Sequence, residues 1–106
     1  MRENMDNNST GFRELEEIRR ELDGIDKEIL DLFIKRQNLA KEVARYKAAN
    51  NVPVLSPGRE GEILERVRAA AGEEHGAAAV RLFEELLKSS REIQHGITDG
   101  PGRKHN

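Results

Sequence analysis

The chain has 106 residues, of which 36% are hydrophobic and 36% charged, with no Trp and no Cys. That is enough for one small domain without a large aromatic core, and it excludes disulfides, thiolate metal sites and a cysteine nucleophile. A formal net charge of −2 argues against a surface built to coat nucleic acid or an anionic membrane, so any anion site has to be local.

Residues 1–11 are polar and rich in Asn and read as a disordered lead. They lack the apolar stretch of a signal peptide, and no run approaches membrane-spanning length, which reads as a cytoplasmic protein. Residues 12–96 read as one helical domain, and residues 97–106, with glycines, a proline and basic side chains, as a flexible tail.

Residues 12–49 contain no proline and one glycine, Gly24. Leu15, Ile18, Leu22, Ile25, Ile29 and Leu32 recur at alternating three- and four-residue steps, and the series resumes at Leu39, Val43 and Tyr46. This predicts one long helix. At about 1.5 Å per residue it extends roughly 55 Å, so it needs something long to lie against, either later helices or the same helix of a second chain.

Arg36 breaks that apolar seam. A buried, unpaired guanidinium costs several kcal/mol, and Lys47 lies about three turns further along the same face. Two cations on an otherwise apolar stripe suggest a pocket for an anion. Arg20, Lys35, Lys41 and Arg45 fit an ordinary solvated face.

Asn50 and Asn51 end the helix, and residues 52–55 form a short extended connector around Pro53. Ser56 followed by Pro57 reads as an N-cap with proline in the first helical position. A second helix carries Ile63, Leu64 and Val67, residues 72–76 read as a turn, and a third helix spans residues 77–93 with Val80, Leu82, Phe83, Leu86 and Leu87 on its apolar side. Gly96 is the expected stop. Ser90 and Gln94, four apart, share a face. The predicted fold is all-α with three helices, one of them very long. Gly58-Arg59-Glu60-Gly61 has the spacing of an RNA-binding KH loop, but no strands accompany it. His75, His95 and His105 show no ligand spacing.

Arg19, Ile25-Asp26, Arg36, Leu39-Ala40-Val43 and Lys47 on the first helix are followed by Val52-Pro53-Val54 and Arg59-Glu60. Leu82-Phe83, Ser90 and Gln94 complete the series. In this order the set resembles the all-helical class of chorismate mutases, over residues 15–94. The resemblance implies an intertwined helical homodimer that converts chorismate to prephenate for phenylalanine and tyrosine biosynthesis, with no cofactor and no metal. Each active site is lined mainly by one chain, with Arg19 supplied by the other. Helix geometry agrees, because Arg19 lies about 25 Å along the rod from Arg36 and points a different way.

The implied rearrangement is pericyclic and needs no proton transfer or covalent intermediate. What it needs is a grip on a flexible dianion in its compact shape, and donors for charge growing on the breaking ether oxygen. The resemblance gives Arg19 and Arg36 the two carboxylates, Lys47 and Gln94 the ether oxygen, and Glu60 the ring hydroxyl. It sets Arg59 beside Glu60, Ser90 on a carboxylate and Val43 against the ring. Ser56 stands where many relatives carry an acid that binds the ring hydroxyl; its place as the cap of the second helix accounts for it first and a share in substrate binding only second, which leaves Glu60 to hold the hydroxyl alone. Two alternatives stay open: an isochorismate pyruvate lyase on the same fold, and a non-catalytic helical dimerisation module. A mutase that works only when docked on another enzyme of the aromatic pathway is also compatible with the sequence.

Overall fold

A computed structural model describes residues 11–99. The expected lead, apart from Gly11, and residues 100–106 of the expected tail lie outside the described residues. Two helices account for most of the described chain: α1, Leu15–Asn50, and α2, Pro57–Thr98. They are 36 and 42 residues long, and neither is long and apolar enough to cross a membrane.

The three-helix expectation is therefore corrected. The turn expected over residues 72–76 contracts to one residue, Gly72, whose φ of 84° and ψ of 178° leave the helical region while its neighbours stay in it. The segments read as a second and a third helix are one element that doubles back. Glu60 and Arg91, 31 positions apart, are hydrogen-bonded to each other, which a straight helix of that length, about 45 Å, forbids. Gly72 occupies a backbone region that is essentially restricted to glycine, so this one residue absorbs the reversal. The helix also runs past the expected stop at Gly96 to Thr98.

The chain divides into two compact units, Met1–Lys35 and Arg36–Asn106. In the first, α1 begins with Glu16 and Glu17 in its opening turn, where acidic side chains favour the positive end of the helix dipole. Arg13 pairs with Glu17 and Glu21 there. The apolar seam of this unit is open: Leu15, Ile18, Leu22, Ile25, Ile29 and Leu32 are between 37% and 63% exposed.

The second unit holds the core. Ala40 and Ala44, the buried residues of α1, join Val54, Ile63, Val80 and Leu87. Alanines on α1 leave room for other backbone to approach closely. The end of α1 is built by Asn51 in the left-handed region at φ 58°, a conformation that Asn tolerates better than most residues. The Val52 amide donates to the Lys47 carbonyl at 2.9 Å, the long-range bond of a Schellman C-cap. The side-chain amide of Asn50 donates to the Tyr46 carbonyl at 2.9 Å. The connector then delivers Val54 into the core and Ser56 to the start of α2.

Candidate active site

A cavity of about 300 Å³ lies within the second unit. The last turns of α1 contribute Arg36, Leu39, Ala40, Val43 and Lys47, and the connector gives Val54 and Ser56. The first turns of α2 bring Arg59, Glu60 and Ile63, and its final stretch Leu87, Ser90 and Gln94. Residues separated by more than fifty positions meet because α2 reverses at Gly72.

Three cations and one carboxylate face the cavity, Arg36, Lys47 and Arg59 against Glu60, so its charge is positive although the chain's is −2. Leu39, Val43, Val54, Ile63 and Leu87 form apolar walls. Such a lining, apolar walls with converging polar and cationic groups, suits one small polyanionic ligand.

Several of the polar groups are held in place. The Lys47 ammonium donates to the Val54 carbonyl at 2.8 Å, which spends one of its three donors and aims the rest. Because Lys47 also receives the capping amide of Val52 on its carbonyl, the connector fixes both ends of this residue. Glu60 accepts from Arg91 Nη1 at 2.5 Å. The Gln94 side chain is buried, with Nε2 donating to Ser90 Oγ at 2.8 Å and Oε1 buried without a partner. An amide has two orientations of the same shape. Turned over, Gln94 accepts the Ser90 hydroxyl through Oε1, and Nε2 takes the buried position that Oε1 now holds.

Ser56 is the N-cap residue of α2, yet its side chain makes no capping hydrogen bond. Only its carbonyl serves the helix, accepting from the Glu60 amide at 3.0 Å. Its role as a side-chain cap is therefore corrected, and the hydroxyl is left to the cavity it lines.

Of the residues singled out from the sequence, Arg36, Val43, Lys47, Ser56, Arg59, Glu60, Ser90 and Gln94 line this cavity. Arg19 does not. It sits on the first unit, 60% exposed, with Glu16 at 3.8 Å. Arg91 was missed. Its signal was the one that exposed Arg36, a cation at an apolar step, since Val80, Phe83 and Leu87 run on to position 91 at the same three-four spacing.

Comparison with known proteins agrees with this geometry in kind. The family model described as chorismate mutase type II matches residues 18–95, and the chain belongs to that family. It is 35% identical over 91 residues to a bifunctional chorismate mutase/prephenate dehydratase of Aquifex aeolicus, an alignment covering 81% of this chain but 25% of that protein. It is 34% identical over 86 residues to a chorismate mutase of Methanocaldococcus jannaschii, covering 78% of this chain and 86% of the relative. A 4-amino-4-deoxychorismate mutase of Streptomyces venezuelae is 38% identical over 67 residues, covering 63% and 64%. No solved structure matches the chain.

Proposed function

We propose that this chain is an enzyme that rearranges chorismate to prephenate, as its family membership indicates, in the biosynthesis of phenylalanine and tyrosine. The observation that carries the reading is the positive cavity bounded by Arg36, Lys47 and Arg59, with Ser56, Glu60, Ser90 and Gln94 as its other polar groups. A module that only packs helices needs no such cavity.

In the rearrangement the ether carbon-oxygen bond breaks as a carbon-carbon bond forms, with six electrons moving in a ring and no proton transferred. The protein has to select the folded conformer and stabilise charge on the departing oxygen. Arg36 binds one carboxylate through its planar fork, and Ser90 assists at a carboxylate. Lys47 Nζ and Gln94 Nε2 donate to the ether oxygen from different elements. Glu60 accepts the ring hydroxyl, with Ser56 and Arg59 beside it, and Val43 packs on the ring. The Lys47 ammonium is already anchored on Val54, so little reorganisation remains to be done when charge develops.

The working unit in this proposal is a homodimer in which Arg19 of a second copy takes the remaining carboxylate. The exposed seam from Leu15 to Leu32 supports it, because a helical stretch with no buried residue is marginal alone in water. Burying each such side chain contributes about 1.5–3 kcal/mol.

The test is an ultraviolet assay of chorismate loss and prephenate formation by the purified chain, beside Lys47→Ala. The parent is expected to turn over chorismate and the variant to lose about 100- to 1,000-fold in kcat, the cost of removing one preorganised donor. A folded parent that leaves chorismate untouched overturns the reading. Salicylate formed from isochorismate instead of prephenate from chorismate redirects it to the lyase.

A further inference from the structure

The carboxylate of Glu60 is held from outside the cavity lining. Arg91 Nη1 donates to its Oε1 at 2.5 Å, and the two side chains are 32% and 22% exposed. The bond from Arg91 engages Oε1 alone, and Glu60 lines the cavity. Among the cavity-lining residues Glu60 is the one acid. Ser56, one turn earlier and also facing the cavity, is neutral. The end of the site assigned to the ring substituent thus has an acceptor whose negative charge is already matched by a guanidinium, with Arg59 adding a further cation.

We infer that Arg91 sets the specificity of the site by positioning Glu60 and cancelling its charge, so that the cavity takes a ring hydroxyl and rejects an ammonium in the same place. The inference rests on the mutase reading above. A hydroxyl donates one hydrogen bond and brings no charge, so a paired carboxylate serves it well. An ammonium has to be matched by net negative charge when it leaves water, and here the surplus is positive. Discrimination of this kind works by repelling the wrong ligand as much as by holding the right one. A relative is named for the amino analogue, 4-amino-4-deoxychorismate, which makes that compound the fitting competitor for the test.

The experiment measures kcat/KM for chorismate and for that amino analogue in the full-length parent, Arg91→Met and Arg91→Lys. Met keeps an apolar stem and removes the charge, while Lys restores it. The chorismate-to-analogue ratio is expected to favour chorismate in the parent, to fall about tenfold or more in Arg91→Met, the scale of one charge-assisted hydrogen bond, and to return to within about threefold of the parent in Arg91→Lys. If both substrates slow together in Arg91→Met and the ratio stays put, Arg91 merely supports the fold and the inference is overturned. A parent that already prefers the amino analogue overturns it too. Should Arg91→Met lose its helical circular dichroism, Arg91→Gln carries the same comparison. A parent inactive on both compounds sinks the mutase reading itself, an outcome distinct from an active parent with an immovable ratio.

Discussion

The two units of this chain carry the same apolar rhythm and put it to different uses. In the first, Leu22, Ile25 and Ile29 are each more than half exposed. In the second, Ala40, Ala44, Ile63 and Leu87 are buried and a cavity with polar groups sits among them. Three-four periodicity marks which face of a helix seeks cover, and it is silent about whether that cover comes from the same chain. Small residues are the better clue, since Ala40 and Ala44 are buried while the leucines and isoleucines of the seam are exposed.

The comparison breaks most completely at the seam. In the proposed homodimer, Ile25→Asp combined with Ile29→Asp removes apolar burial worth about 1.5–3 kcal/mol per side chain in each copy and sets like charges facing one another. Sedimentation is expected to report monomers, and chorismate turnover to fall with the loss of the second copy's Arg19. A dimer that survives both substitutions shows that the first unit is covered in some other way.

Within the second unit, Lys47→Ala separates chemistry from packing. The loss in kcat corresponds to about 3–4 kcal/mol, while the loss of one hydrogen bond to the Val54 carbonyl costs stability only about 1 kcal/mol. Activity and melting temperature should therefore part company. If they fall in proportion, Lys47 is a structural anchor.

Smaller again is the contrast between two glycines. Gly72→Ala forces a side chain into a region reserved for glycine, costing about 1–3 kcal/mol, and thermal melting should register it. Gly76→Ala places a Cβ 3.4 Å from the Arg68 carbonyl oxygen, an ordinary contact, on a residue already in helical geometry. It is expected to be near neutral, and equal losses at both positions would deny Gly72 its special part in the reversal.

That pair also explains what the sequence could convey. Glycines four apart look like the two ends of a turn because each weakens a helix by about 1 kcal/mol, and nothing in residue type says that only Gly72 leaves the helical region. The long first helix and the start of the second at Pro57 were legible, since proline, paired asparagines and periodicity all act locally. Arg36 was conspicuous because a cation interrupted an apolar series. Arg91 interrupts another, but its partner Glu60 lies 31 positions away, and a pairing of that reach becomes visible only once the reversal at Gly72 is known.

The smallest effect decides the part played by Ser56. A serine whose hydroxyl caps a helix typically costs about 1 kcal/mol when changed to alanine, which in a domain of this size lowers the melting temperature by about 4–8 °C. Here the hydroxyl makes no capping bond, so Ser56→Ala should leave the melting temperature within about 2 °C of the parent. If the hydroxyl instead meets the ring substituent beside Glu60, its removal takes away one hydrogen bond, worth about 0.5–1.5 kcal/mol, and appears as a several-fold rise in KM with kcat little changed. A clear drop in melting temperature with KM unmoved would return Ser56 to the helix and leave Glu60, steadied by Arg91, as the sole acceptor for the ring hydroxyl.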